Sequence, residues 1–208
     1  VRRKEDKRFL IGKGNYTDDI NVAGQTHAVF VRSPHAHAEI KGIDTSAAIA
    51  APGVVAVLTG EDLAADGIGP LICGVTVTSD DGEPHRAPAH PALAQGKVNY
   101  VGDHIAIVIA ESKSEARDAA ELVDVDYNVL PAITGTRSAA DPGQQQIHEV
   151  APDNVCFNWP FGDKDGVEAA FANAHKVSKL DLVNNRMVTN PMEPRAALGE
   201  YNSGTDEI

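Results

Sequence analysis

The sequence predicts an α+β fold with a mixed sheet, and the stretch from Tyr100 to Ala132 supplies the main observations. His104 to Ala110 is an almost unbroken apolar run rich in β-branched residues, as in a strand buried on both faces. Val123 to Val129 alternates apolar with polar positions, which is typical of a strand with one exposed face. The connection between them is long enough to return a parallel strand, so we expect a strand–helix–strand unit here.

The helix of this unit is predicted by its start signal and by its apolar spacing. Ser112 and Glu115 form a capping-box pattern, in which the two side chains satisfy backbone N–H groups of the first turn. Small apolar residues then recur at helical spacing, namely Ala116, Ala119, Ala120 and Val123. Because these side chains are small, the helix is expected to pack closely against the sheet.

Three further strands are predicted before this unit. Gln25 to Arg32 and Ala36 to Ile43 both alternate, and we interpret them as an antiparallel pair joined across Ser33-Pro34-His35. Gly53 to Thr59 is a second buried apolar run.

Short helices and one short strand complete the predicted N-terminal elements. Asp44 is expected to cap a helix over Thr45 to Ala51, which Pro52-Gly53 would end. Thr59 and Asp62 make a second capping box. Tyr16 to Ile20 is predicted as a short strand.

Three short motifs suggest a bound ion, and none of them is complete. Gly12 and Gly14 suggest a phosphate-binding loop, but no third glycine and no Lys-Ser/Thr pair follows, which favours a simple turn. His35 and His37 fall on one side of an extended strand, as two metal ligands would, yet spacing identifies no third ligand, which favours surface or turn histidines. Asp163 to Gly166 resembles the start of a calcium loop but lacks its closing glutamate, so a helix cap is favoured.

Two stretches lack periodicity. Asp66 to Ala92 carries four prolines and four glycines, and the alternatives are a functional or partner-binding loop and a disordered insertion. Thr134 to Ile147 is polar and is predicted to be a linker, with a domain boundary between about Ala140 and Asn154.

The C-terminal part is predicted to hold one helix and two strands. Asp165 with Glu168 is expected to cap the helix, and strands are expected at Lys176 to Arg186 and at Ala196 to Tyr201. The second strand has no partner strand behind it, so the sequence is expected to be part of a longer protein.

Composition narrows the possible partners. The chain has 208 residues, of which 18 are basic and 30 are acidic, for a net charge of −12. This balance disfavours nucleic acid and anionic membranes. Cys73 and Cys156 form neither a disulfide framework nor a thiolate metal pattern, and no apolar run approaches the ~20 residues that span a bilayer. A reducing, cytoplasmic location is therefore expected.

Four segments carry a resemblance to a known family: RFLIGKGNYTDDI, HAVFVRSPHAHAEIKGIDTSAAIAAPGVVAVLTGEDL, KVNYVGDHIAIVIAESKSEARDAAELVDVDYNVLPA and NPMEPRAALGEY. In this order they resemble the molybdopterin-binding large subunit of the xanthine dehydrogenase, aldehyde oxidase and aerobic carbon monoxide dehydrogenase family. The resemblance runs from Arg8 to the last residue. The motifs RSPHAHA and MEPR are more similar to those of bacterial multi-subunit members than to those of the single-chain animal enzymes.

The resemblance implies an α/β-hammerhead domain over residues 8–140 and the beginning of the first molybdenum-binding domain over residues 154–208. It implies that the whole protein is an oxidoreductase with a molybdopterin-type molybdenum cofactor. Such an enzyme hydroxylates or oxidises an aldehyde, purine, heterocycle or carbon monoxide with water-derived oxygen. Electrons would pass to iron–sulfur and FAD subunits or domains.

For this chain itself the resemblance implies a structural role, with no catalytic residue, no metal ligand and no bound cofactor. The family's general-base glutamate and its glycine-rich cofactor-binding segments lie downstream of Ile208. Arg186, Glu193 and Arg195 are the charged residues that the resemblance brings near the cofactor region, although a structural Glu–Arg pair closing a turn would use the same residues. The alternative function is a stand-alone hammerhead-fold binding or scaffold module.

Overall fold

The computed structural model describes residues 3–185, 187–191 and 195–208. The chain divides into two compact units, one formed by Thr26–Lys164 and the other by the residues up to Gln25 together with those from Asp165 onward. The first unit contains all the named strands, and the α+β class is confirmed.

The strands form two three-stranded antiparallel sheets. The first sheet has the order β1-β5-β3, with bounds His27–Arg32, His104–Ala110 and Val54–Thr59. The second sheet has the order β4-β2-β6, with bounds Lys97–Val98, Ala38–Asp44 and Asp124–Val129. Strand β5 lies at the centre of the first sheet and β2 at the centre of the second.

The described residues contain five short α-helices. Their bounds, from α1 to α5, are Asp6–Leu10, Ser46–Ile49, Gly60–Ala65, Lys113–Ala120 and Lys164–Ala172. The predicted caps are confirmed for three of them. Asp44 accepts the Ser46 N–H at 2.9 Å, Thr59 and Asp62 form the capping box of α3, and Glu115 N–H donates to the Ser112 hydroxyl at 3.2 Å.

Helix α4 covers one face of the first sheet. Ala116 and Ala119 are fully buried, and Ala119 shares a core cluster with Ala48, Val57 and Val108. The small-residue face predicted for this helix is therefore the face that meets the sheet.

A second core lies on the opposite side of β5. Ile105 is fully buried there with Ala38, Ala94 and Val98, and Ile40, Ile43, Val125 and Tyr127 pack against this cluster. Strand β5 thus contributes to both cores, as its unbroken apolar run predicted.

The predicted strand pairings are wrong. Strands β1 and β2 do not pair with each other, because β1 pairs with β5 and β2 pairs with β4 and β6. The predicted parallel return of β6 beside β5 does not occur either, since β1 and β3 already occupy both edges of β5. Beyond Arg32 the chain stays bonded to the segment before β5: Ser33 N–H donates to Asp103 O at 2.8 Å, and Gly102 N–H donates to Ser33 O at 2.8 Å.

Three local predictions are also wrong. The predicted strand at Tyr16 to Ile20 is a 3₁₀ turn over Thr17–Asp19, closed by the Asp19 carboxylate, which accepts the Tyr16 N–H at 3.0 Å. Residues 176–185 and 195–201 form no strand; Arg186, the end of the first predicted strand, lies outside the described residues. A single bridge between Asn202 and Glu207 closes the turn that follows.

The polar stretch predicted to be a linker is held by one side chain. Asn154 accepts the Ile147 N–H at 2.9 Å and donates to Ala139 O at 2.9 Å and to Gln145 O at 3.0 Å. Its backbone is left-handed, with φ of 58°, a conformation that asparagine tolerates better than most residues. The position of the domain boundary stays a prediction.

We expect Ile105→Ala to lower the free energy of unfolding by about 2–5 kcal/mol, because it opens a cavity between the two sheets. Ile72→Ala is the matched control, since Ile72 is 95% exposed. Urea denaturation of both variants measures the difference. Equal losses in the two variants would show that Ile105 is not part of a packed core.

Asn154→Ala should speed tryptic cleavage after Arg137 several-fold, because three hydrogen bonds worth about 1 kcal/mol each no longer hold the stretch closed. Asn173→Ala, an exposed position in the other unit, is the control. The cleavage rate is followed by mass spectrometry, and an unchanged rate would contradict the clamp assigned to Asn154.

Candidate functional site

A cleft with a volume of about 740 Å3 lies within Thr26–Lys164. Its walls come from the end of α3 and the loop after it, from the segment before β4, and from the turn that leads into β5. Seven polar residues line it: His90, Gln95, Lys97, Asn99, Tyr100, Asp103 and His148. The non-periodic Asp66 to Ala92 stretch therefore contributes residues to a concave surface.

A tight turn positions two of these residues. Asp103 N–H donates to Tyr100 O at 3.2 Å, and Gly102 adopts φ of 90°, which a residue with a side chain rarely adopts. The Asp103 carboxylate accepts the Asn99 N–H at 3.1 Å, and Asp103 is only 7% exposed. The carboxylate therefore serves to close the turn.

Tyr100 lies at the rim of the cleft beside His90. Its hydroxyl oxygen is 3.3 Å from His90 Nε2, and the two rings meet edge to face with centroids 6.1 Å apart. Burial, followed by the Asp103 carboxylate, raises the pKa of Tyr100 above its usual value. The phenol therefore stays protonated and can donate a hydrogen bond.

Lys97 and His148 are the half-buried basic residues of the cleft. Lys97 forms no ion pair with any residue in the described ranges. Burial lowers the pKa of His148, and the charges of Lys97 and then His37 lower it further. His148 is therefore neutral at pH 7, beside a lysine without a counter-ion.

His37, which the sequence favoured as a surface or turn histidine over a metal ligand, is a core residue. It is 1% exposed, its Nδ1–H donates to Pro131 O at 2.8 Å, and its buried Nε2 has no hydrogen-bond partner among the described residues. His35 instead packs edge to face on Tyr127, with centroids 4.9 Å apart. In the part of the chain that the structure describes, no group of three or more His, Cys, Asp or Glu residues could hold a metal ion.

Of the three residues predicted to lie near the cofactor, Arg195 is exposed within its own unit, and Arg186 and Glu193 lie outside the described residues. Helix α5 begins at Lys164, so Asp165 is its second residue, and the prediction that Asp165 caps this helix is wrong.

One contact was not suggested by any sequence motif. Cys73 Sγ lies 3.7 Å from His85 Nε2, and the Val77 N–H donates to His85 Nδ1 at 3.3 Å. Because Nδ1 accepts, the neutral imidazole carries its proton on Nε2 and has no lone pair for the thiol proton. This pair is therefore not arranged as a nucleophile with its general base.

Comparison with known proteins identifies the family. Residues 11–131 match the domain model described as "Aldehyde oxidase and xanthine dehydrogenase, a/b hammerhead domain". The chain belongs to the aldehyde oxidase and xanthine dehydrogenase family. Residues 147–208 of this family member match the molybdopterin cofactor-binding domain. The resemblance stated from the sequence, including the hammerhead domain, is confirmed.

Individual relatives cover the whole chain. It is 40% identical over 210 residues to the nicotine 6-hydroxylase large subunit of Paenarthrobacter nicotinovorans, covering 100% of this chain and 24% of that protein. It is 39% identical to the carbon monoxide dehydrogenase large chain of Afipia carboxidovorans, and the match covers 92% of this chain and 24% of that protein. The solved structure of reconstituted CO dehydrogenase from Oligotropha carboxidovorans matches with a TM-score of 0.70 and 37% identity, covering 85% of this chain and 22% of that one. The chain thus spans about a quarter of the length of these relatives.

No metal-holding cluster is present in the described ranges, and every described side chain from Lys176 onward is exposed rather than enclosed. None of the helices that the structure describes has the length and apolar character needed to cross a membrane.

In the His148→Gln variant, the loss of folding stability on acidification should be smaller than in the unmodified chain. Because the folded-state pKa of His148 is depressed, the unfolded chain binds more protons as the pH falls through about 6.5, and the folded state loses stability there. Burial also lowers the pKa of His104, so the variant should still lose some folding stability on acidification.

Urea midpoints measured at about pH 7.5 and about pH 5.5 test this linkage. His175→Gln, at an exposed position outside the cleft, is the control. A loss on acidification as large in His148→Gln as in the unmodified chain would contradict the assignment.

Proposed function

We propose that the whole protein is the molybdenum-binding large subunit of a molybdenum hydroxylase. The observation that carries this proposal is the order of the two domain matches, a hammerhead domain at residues 11–131 followed by a molybdopterin cofactor-binding domain at residues 147–208. This order favours an enzyme subunit over the stand-alone hammerhead module, which needs no cofactor-binding sequence behind it.

The proposed reaction converts a small aldehyde, purine, heterocycle or carbon monoxide to its oxygenated product with oxygen taken from water. For a C–H substrate, the substrate and one water give the hydroxylated product, two protons and two electrons. The molybdopterin-type cofactor supplies the oxygen transfer and accepts the electrons when it is bound. Relatives named as a nicotine hydroxylase, a carbon monoxide dehydrogenase and an aldehyde oxidoreductase support this range of substrates.

The electrons are proposed to pass to iron–sulfur and FAD subunits or domains of the same enzyme. Relatives that are named large subunits, and one that is named subunit gamma of a dehydrogenase complex, support a multi-subunit assembly. We propose a cytoplasmic location, which the two cysteines without a disulfide favour.

The proposed role of this chain within the enzyme is structural. Domains are proposed at residues 8–140 for the hammerhead domain and 154–208 for the beginning of the first molybdenum-binding domain. Arg186, Glu193 and Arg195 remain the residues proposed to lie near the cofactor. The general base is proposed to lie in the sequence that follows.

The whole protein, purified from its own cells, should contain molybdenum in stoichiometric amount and should transfer oxygen from water. Turnover in isotope-labelled water, with the product analysed by mass spectrometry, measures the second property. A product whose new oxygen comes from molecular oxygen would overturn the proposal. A purified whole protein without molybdenum would overturn it as well.

The 208-residue chain alone should contain no stoichiometric molybdenum, because its described residues offer no enclosed ligand set. Elemental analysis of the purified chain is the measurement. A full equivalent of molybdenum on this chain would show that the cofactor site is complete without the sequence that follows.

A further inference from the structure

The cleft within Thr26–Lys164 has the dimensions of a small-molecule site. Its volume of about 740 Å3 lies in the range of roughly 300–1,000 Å3 that ligand pockets occupy. One side of it is apolar and rigid, with walls from Ile68, Pro70, Pro88, Ala89, Pro91 and Ala94. The backbone bond from Leu71 N–H to His90 O, at 2.8 Å, ties the two wall loops together.

The polar side of the cleft favours an anion. Lys97 is half-buried and has no ion pair with any described residue, and Glu39, a nearby carboxylate, is already bonded to Lys41 at 2.6 Å and Asn128 at 2.8 Å. A bound anion would give the Lys97 ammonium a counter-ion that the described residues do not place within ion-pair distance.

The remaining titratable groups around Lys97 and His148 leave room for this anion. His37 and His90 are imidazoles that lower the pKa of His148, and Tyr100 is a neutral phenol. Asp103 is the one carboxylate facing the cleft among the described residues that line it, and it is buried and bonded to the Asn99 N–H at 3.1 Å. That bond ties the carboxylate to the turn, while its charge also reaches Tyr100 and His148 and favours the protonated form of each.

We propose that this cleft binds a small organic carboxylate with an apolar body, with Lys97 as its counter-ion and His148 as a second donor. The apolar body lies along the proline-lined wall, and the carboxylate lies between Lys97 and His148. A bound carboxylate favours the protonated form of His148, so binding takes up a proton. Affinity therefore rises as the pH falls toward 6.

Benzoate is the probe, and benzamide is its neutral isostere. Amide chemical shifts of the isotope-labelled 208-residue chain are followed during titration with each compound. We expect saturable shifts at Lys97 to Asp103 and at His148, with benzoate bound about tenfold more tightly than benzamide, as expected for one charge-assisted contact. Equal affinities, or shifts that do not saturate, overturn the proposal.

Lys97→Met keeps the length of the side chain and removes its charge, so it should lower the benzoate affinity about tenfold and leave benzamide unchanged. Lys113→Met is the matched control, because Lys113 is an exposed lysine of α4 that lies outside the cleft. His148→Gln should abolish the gain in benzoate affinity on acidification.

Ala89→Trp provides an independent variant, since Ala89 is an exposed wall residue whose enlargement fills the cleft without touching either core. It should abolish binding of both compounds while the amide spectrum outside the cleft is retained. Undiminished benzoate binding in Ala89→Trp, or in a folded Lys97→Met, places the anion elsewhere and overturns the proposal.

Discussion

The fold depends on strand β5, which is buried on both faces and paired on both edges. Ile105 points into the core between the two sheets, whereas Val108 points toward helix α4. Strands β1 and β3 occupy its two edges. Because a strand has only two edges, β6 must pair elsewhere, and its pairing with β2 creates the second sheet. The two faces of β5 thus contact two separate cores, and its two occupied edges leave β6 to pair in a second sheet.

The turn before β5 connects this fold to the cleft. Asp103 accepts the Asn99 N–H, and its own backbone accepts the Ser33 N–H, so a single residue joins the end of β4 to the end of β1. The same turn holds Tyr100 at the rim and leaves Lys97 on the adjoining strand. The cleft therefore combines this turn with residues of the non-periodic Asp66 to Ala92 stretch.

Within Thr26–Lys164, local signals in the sequence predicted most helices and strands but not which strands pair with each other. Capping boxes at Thr59 and Ser112 involve residues three apart, and the structure contains both. Pairing of β1 with β5 joins His27 to Ala110, and no periodicity within either strand encodes that choice. The cleft is equally non-local, since His148 comes from beyond the predicted linker. Family resemblance identified the protein class, because long ordered segments carry information that periodicity lacks.

The buried polar residues of the described ranges hold loops in place. They are Ser33, His37, Ser79 and Asp103. Each of them bonds to main chain: Ser33 donates to His35 O, His37 donates to Pro131 O, Ser79 accepts the Asn158 N–H, and Asp103 accepts the Asn99 N–H. Lys97 and His148 are only half-buried and line the cleft, so their side chains lie where a bound ligand can reach them.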